Sequence, residues 1–289
     1  MNPILVTGAT GHLGTAVCKA LIAAGLEVRA TDRRYVPGFP AKVELGDLGD
    51  EHFAYRVVEG CGAVVHLANH ANAFAGPSAQ RLLTENVGMN ANVFYASVDL
   101  GIRCLVFSSS VQVMVRRAGS RGEPPYQVPY LPLDSDAPPD PGSCYAVSKE
   151  FGERMLRLLC QEHPELSATA LRYPMLPQQG WIRHLSQNRR TSRRWLNFAE
   201  CLTHLYLADA ASLVVRVLAK RAPGYHQYFP ATTTQLQGYS AARIIREWYP
   251  DAPLRQPIEQ IGNLVDISVL ERDLDWWPEH RLSVTLEDD

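Results

Sequence analysis

Residues Met1–Gly14 read MNPILVTGATGHLG, and this stretch decides the fold. Ile4, Leu5 and Val6 form a short apolar run of the kind a strand buried on both faces carries. Gly8, Gly11 and Gly14 follow at a spacing of three, and Ala16, Val17, Ala20, Leu21 and Ala24 then repeat at helical spacing up to Gly25. Strand, glycine-rich turn and helix in this order predict the opening of a dinucleotide-binding βαβ unit. Glycine serves there because the backbone turns tightly, approaches a pyrophosphate and packs helix on strand, while the helix N-terminus faces the phosphate charge. The candidate cofactor contacts in this segment are Gly8, Thr10, Gly11, His12, Leu13 and Gly14.

The next segment agrees. Glu27–Thr31 reads as a second strand, and Asp32 ends it about 20 residues past the glycines, where an acid grips the adenosine ribose hydroxyls. An acid at this place favours NAD, because it repels the additional phosphate of NADP. Arg33 and Arg34 follow at once and could receive that phosphate, so NADP stays open as the alternative cofactor.

The 289 residues suffice for one large domain or two modest ones. A net charge of −2 gives no reason to expect nucleic acid or an anionic membrane as partner. The first strand begins at Ile4, leaving no room before it for a signal peptide, and no apolar run approaches the roughly 20 residues that span a bilayer. The six cysteines are scattered, with no CxxC pair and no histidine at ligand spacing, which suits reduced thiols and no metal site. A cytoplasmic protein is expected.

Further along, Gly46-Asp47-Leu48 reads as a strand end, with the Asp47 carboxylate in reach of an adenine amino group and Leu48 beside it. Glu51–Gly60 reads as a short helix. Ala63–Ala68 is another buried-strand pattern, and Leu67 and Ala68 fall where backbone contacts on the nicotinamide side are expected. His66 inside that run reads as a satisfied core histidine rather than a ligand. Asn86 lies in a helix from roughly Ala79 to Leu100, and Cys104–Phe107 is a strand ending in Ser108, Ser109 and Ser110. Seven prolines then fall from Pro124 to Pro141, a density that excludes a helix or a central strand and predicts a functional or mobile loop.

That loop leads into Tyr145-Ala-Val-Ser-Lys149, which opens a helix. Tyr145 and Lys149 are four apart and share one helix face. A phenol free in water titrates near pH 10 and is a poor base at neutrality. A nearby ammonium group and a positive nicotinamide ring favour the phenolate, which then takes a proton from a secondary alcohol as its carbon releases hydride. Ser110 is placed to hold the substrate oxygen.

With these residues in view, the chain resembles the extended short-chain dehydrogenase/reductases of the NAD-dependent epimerase/dehydratase family. The matching pieces are TGATGHLG (Thr7–Gly14), Asp32, GDL (Gly46–Leu48), VVHLA (Val64–Ala68), ENV (Glu85–Val87), VFSSSVQV (Val106–Val113), YAVSK (Tyr145–Lys149) and LRYP (Leu171–Pro174). The resemblance implies Ser110, Tyr145 and Lys149 as the catalytic triad. It also implies that Lys149 holds the nicotinamide ribose, that Asn86 supports the lysine, that Tyr173 lies by the cofactor, and that two chains pair as a homodimer through the Asn86 and Tyr145 helices. THLYLADAA (Thr203–Ala211) resembles a later segment of the family in which Asp209 takes a structural place.

Departures from the family narrow the reaction. Val111 and Gln112 follow Ser110 where the 4,6-dehydratases carry an Asp-Glu pair, so dehydration is not expected, and Gln112 becomes a candidate substrate contact. Thirty-one residues separate Arg172 from His204, an insert shorter than that of the nucleotide-sugar epimerases and similar to that of the uronate dehydrogenases. It holds Arg183, Arg189, Arg190, Arg193 and Arg194 with no acid between Pro174 and Ala199. This patch either binds a substrate carboxylate or diphosphate, with Arg183 and Arg190 as candidates, or is a solvated basic loop. Trp181 and Trp195 flank it as a sugar-ring wall or as packing.

The expected architecture is α/β, a doubly wound parallel sheet of Rossmann type. Residues 1–173 plus about 201–230 form the NAD-binding domain, and about 174–200 plus 231–289 a small substrate-binding lobe. The expected activity is NAD-dependent oxidation or epimerisation of a secondary alcohol on a sugar or sugar nucleotide. One alternative is a dehydrogenase of a smaller free substrate such as a uronic acid. Another is a non-catalytic dinucleotide sensor, disfavoured because Tyr145 and Lys149 both stand.

Overall fold

The computed structural model describes residues 2–70, 77–116, 125–177, 180, 190–191 and 196–286, with only the backbone of 190–191. The Ile4–Val6 run becomes β1 (Ile4–Thr7), and all four residues of this strand are buried. Gly25 at φ +75° follows helix α1 (His12–Ala23), a backbone conformation that stops a helix. Next come β2 (Val28–Asp32), β3 (Val43–Leu45), α2 (Glu51–Val58), β4 (Ala63–His66), α3 (Ala79–Asp99), β5 (Cys104–Ser110), α4 (Cys144–Glu162) and β6 (Ser167–Tyr173). Side chains cap the helix starts: Asp50 on α2, Ser78 on α3 and Ser143 on α4 each accept from a backbone N–H.

The seven-stranded sheet runs in the order β3-β2-β1-β4-β5-β6, with Gly224–Tyr228 as its last strand. β1 pairs in parallel with β2 on one side and β4 on the other, Ile4 standing opposite both Val28 and Ala63. Chain order reverses at β1, so the crevice between the carboxyl ends of β1 and β4 is the switch point at which such sheets bind ligands. Leu5, Val64, Leu105 and Ala168 on the strands pack with Val93 and Phe94 of α3 and Leu156 and Leu159 of α4 in one core.

The chain divides into two compact units. The first comprises Met1–Ser109, Ser143–Leu171 and Ala210–Tyr228, and the second Ser110–Gly142, Arg172–Asp209 and Phe229–Asp289. This division departs from the sequence-based one, which assigned the proline-rich stretch to the nucleotide domain. The reason is packing: Val111, Met114, Val128, Leu131 and Leu133 share a core with Trp248, Tyr249, Leu264 and Val284. Residues 125–142 form no helix. They run extended, with the N–H groups of Tyr126, Leu131 and Leu133 donating to the carbonyls of Trp248, Pro253 and Leu264. The stretch expected to be a functional or mobile loop is thus, over these residues, packed into the core of the second unit.

Within that unit Arg172 is fully buried and donates from Nη1 to the carbonyls of Ser135 (3.1 Å) and Ala137 (2.9 Å). Asp209 is structural: its carboxylate accepts from the N–H groups of Glu279 and His280 and bonds His280 Nδ1 at 2.9 Å. All six cysteines are free thiols, and no helix among the described residues is long and apolar enough to cross a membrane.

Gly14 is where the turn tolerates least. A Cβ there would stand 2.2 Å from the Gly8 carbonyl oxygen and 2.7 Å from Ala9 Cα, both backbone atoms. Gly14→Ala is expected to lower stability by about 1–3 kcal/mol or more, read from the urea midpoint. A change within experimental error would show that the turn opens freely.

Candidate active site

The glycine turn joins the carboxyl end of β1 to α1. Gly8 adopts φ +64°, and a Cβ on it would lie 2.9 Å from both Cα and N of Ala68, so only glycine permits β1 and the segment after β4 to come this close. Gly11 caps α1 without a side-chain bond, which leaves the helix N-terminus to backbone donors alone. The Thr10 hydroxyl in this turn is buried without a hydrogen-bond partner. His12 is exposed and Leu13 half-buried.

Asp32 stands at the end of β2, as expected, and ties that strand to the turn. Its Oδ2 accepts from the Thr10 N–H at 3.0 Å and its Oδ1 from the Arg34 N–H at 3.2 Å. Arg33 faces Asp47 at 4.0 Å, in an exposed ion pair. Asp47 Oδ1 also accepts from the Gly49 N–H, while Leu48 is buried in the core. The residues present fit a dinucleotide. The turn excludes side chains, the helix start carries no side-chain cap, an unbonded hydroxyl lies inside, and an acid stands at the end of β2. Gly8, Thr10, Gly11, Gly14 and Asp32 would hold that group.

Tyr145 and Lys149 occupy the first turns of α4, with the lysine amine 5.7 Å from the centroid of the tyrosine ring. Lys149 is buried, 2% exposed. Its Nζ donates to Asn69 Oδ1 and to the Ser108 carbonyl, both at 2.7 Å, and lies 4.9 Å from the Phe107 ring centroid. Burial lowers its pKa from 10.5 to about 7. Asn86, expected to support the lysine, instead clamps the backbone of His70 and donates to Ser148 Oγ at 3.1 Å. Ser148 in turn donates to the Tyr145 carbonyl at 2.7 Å, so Asn86 reaches the first turn of α4 through Ser148.

Ser110 is the last residue of β5 and is buried, its Oγ accepting from the Gln112 N–H at 3.2 Å. Gln112 Nε2 points to Glu200 Oε1 at 3.3 Å, and that carboxylate is itself buried. Tyr173 ends β6 and is buried, which pushes its phenol pKa up. Arg183, Arg189, Arg193, Arg194, Trp181 and Trp195 lie outside the described residues, and so does the side chain of Arg190.

His66, read from sequence as a satisfied core residue, is that. Its Nδ1 meets Thr7 Oγ1 at 2.8 Å and its Nε2 meets Asn90 Oδ1 at 3.0 Å. Burial first, then the Lys149 charge, lower its pKa from 6.5 to about 3. Asn69 and Asn90 were not singled out by the sequence. They sit in a strand-end segment and in mid-helix with no spacing that distinguishes them from other polar residues.

The fold and the turn define a dinucleotide-binding α/β protein of the doubly wound class, with a tyrosine and a buried lysine one helical turn apart. The chain belongs to the NAD dependent epimerase/dehydratase family, whose model matches residues 4–228, and thus to the extended short-chain dehydrogenase/reductases. It is an NAD-dependent enzyme of the oxidoreductase and epimerase type. It is 27% identical over 226 residues to the uronate dehydrogenase of Pseudomonas syringae pv. tomato, covering 74% of this chain and 73% of that one. It is 29% identical over 220 residues to the L-arabinose 1-dehydrogenase (NAD(P)(+)) of Haloferax volcanii, covering 74% and 84%. Among solved structures, MoeE5 in complex with UDP-glucuronic acid and NAD superposes with a TM-score of 0.68 at 20% identity, covering 96% of this chain and 94% of that one.

The neutral imidazole has a consequence for stability. His66 binds fewer protons in the folded chain than unfolded, so its contribution is complete above about 6.5 and is lost as pH falls from there toward about 3. The urea midpoint of the wild type is expected to drop through that window, by the equivalent of roughly 2–5 kcal/mol. His66→Gln should drop less, and parallel curves would remove the assignment of a buried neutral histidine.

Proposed function

We propose that this enzyme is a dehydrogenase that oxidises a hydroxyl-bearing carbon of a free sugar or sugar acid, with NAD as hydride acceptor. The observation that carries the reading is Lys149, buried and held by two neutral acceptors one turn from Tyr145. A charged amine there stabilises a phenolate. Tyr145 then removes the hydroxyl proton and Ser110 hydrogen-bonds the same oxygen, while NAD, held by the glycine turn and Asp32, would supply the acceptor for the hydride. Asp32 binds the adenosine ribose, and the family's preference for NAD is supported here by Arg33 facing Asp47.

The substrate class rests on the thirty-one residues between Arg172 and His204, short for enclosing a nucleoside diphosphate, and on the uronate and arabinose dehydrogenases among the relatives. Arg183 and Arg190 are proposed as partners of a sugar carboxylate. A second reading, epimerisation of a sugar nucleotide, is favoured by the likeness of the fold to a solved UDP-galactose 4-epimerase. Tyr95 on α3 and Phe151 and Leu158 on α4 are exposed, which supports pairing of two chains across these helices.

The two readings differ in the fate of the cofactor. With a panel of sugars, sugar acids and sugar nucleotides, the dehydrogenase accumulates NADH in proportion to product, whereas an epimerase changes configuration and returns its cofactor unchanged. Tyr145→Phe is expected to lower turnover by at least about 10²-fold, the scale of a lost general base, while NAD affinity persists. Turnover retained in that variant would remove Tyr145 from its role.

A further inference from the structure

The lysine amine stands at one end of a buried polar chain that starts on β1, and the direction of every bond in it follows from donor and acceptor inventory. The N–H groups of Leu67 and Ala68 both donate to Thr7 Oγ1 at 3.1 Å. These two bonds occupy the acceptor sites of the hydroxyl, so its single O–H donates to His66 Nδ1 at 2.8 Å. His66 is therefore the Nε2–H tautomer and donates to Asn90 Oδ1 at 3.0 Å. Asn90 Oδ1 also accepts from Asn69 Nδ2 at 3.0 Å, and Asn90 Nδ2 points to the Ser148 carbonyl at 3.5 Å. With its Nδ2 turned to Asn90, Asn69 presents Oδ1 to Lys149 Nζ at 2.7 Å. Thr7, His66 and Asn90 are each no more than 1% exposed, so water does not compete at that part of the chain, and Asn69 is half-buried.

We propose that Asn69 is a positioning residue for Lys149, its amide held in one orientation by Asn90 and the Nε2-protonated His66, so that it fixes where the amine points and how readily it holds a proton. The Ser108 carbonyl is the second acceptor and is set by the backbone of β5. The Asn69 amide is the one acceptor that a side-chain substitution can remove. Among the described residues, the titratable groups beside the amine are His66 on β4 and Tyr145 on its own helix. The carboxylates of the neighbouring helices are engaged elsewhere: Glu85 of α3 with Arg81 and His70, and Glu150 and Glu153 of α4 with Arg154 and Arg157. A neutral acceptor at Asn69 thus leaves the buried amine without a counter-ion among its bonded partners, which agrees with a midpoint brought down to about 7.

The chain has four lysines, and Lys19, Lys42 and Lys220 are exposed. Lysine labelled with carbon-13 at Cε therefore reports Lys149 directly in a magnetic-resonance titration, with Lys149→Met assigning its signal. Asn69→Asp places a carboxylate on the amine and is expected to raise the Lys149 midpoint by about 1–3 in pH. Asn69→Ala removes an acceptor of the charged form and is expected to lower it. A general loosening of the fold would hydrate the Lys149 amine and raise its midpoint in both variants, whereas the proposal lowers it in Asn69→Ala; the three exposed lysines serve as reference signals. Unchanged Lys149 midpoints in whichever of the two variants folds would overturn the proposal.

The catalytic meaning of the amine rests on the dehydrogenase reading, but the titration uses neither substrate nor cofactor. A failed relay leaves the lysine signal unmoved in the variants. A failed dehydrogenase reading leaves the signal moving as expected and no NADH formed by the wild type with any sugar of the panel.

Discussion

The near-contact of two backbones at the carboxyl ends of β1 and β4 is the constraint on which the site depends. Gly8 approaches Ala68 so closely that no Cβ fits between them, and the Thr7 hydroxyl beside it takes the N–H groups of Leu67 and Ala68. Backbone donors at the end of a buried strand need partners, because each one left unsatisfied costs about 1–3 kcal/mol. A threonine hydroxyl meets two of them and still has a proton to give. That proton sets the tautomer of His66, and the orientation of the two asparagines follows. The glycine turn and helix α4 are thereby parts of one bonded arrangement in the first unit.

Burying an amine is unfavourable, and the structure answers it with two hydrogen bonds and an aromatic ring rather than with an acid. A paired carboxylate would hold the lysine charged far above neutrality. Neutral acceptors leave its proton affinity near the working range, where a change in surroundings has the largest effect on its charge. His66, 5.5 Å from the Phe94 ring centroid and stacked on Phe107, stays neutral beside it. Two cations so close in an apolar core would each raise the cost of the other.

The second unit follows a different logic. Its proline-rich stretch supplies no regular element, yet Leu131 and Leu133 are fully buried and their N–H groups are bonded. Proline leaves a chain without one donor but does not stop its neighbours from pairing with an adjacent extended segment. Arg172 closes the arrangement from the end of β6 by donating to two carbonyls of that stretch, and Ser135 returns a side-chain acceptor to the Phe229 N–H. His204 plays a similar part between Thr232 and Thr234, with burial lowering its pKa to about 4.

What the amino-acid sequence determined by itself was the nucleotide-binding half and its local chemistry. Apolar runs, glycine spacing and caps are short-range signals, so β1, α1, Asp32 at the end of β2, the serine-tipped β5 and the Tyr145–Lys149 face of α4 were legible within windows of a few residues. Tertiary structure alone decided which groups meet. Lys149 takes its partner from Asn69, eighty positions away, and the proline-rich stretch joins a core with residues beyond 240. Such pairings leave no periodicity in the chain, because a side chain's partner depends on how strands are ordered in a sheet and not on its neighbours in sequence. Asn86 shows the same limit. Its place on α3 was readable, while its bonds to His70 and Ser148 follow from the packing of α3 against α4 and the loop after β4.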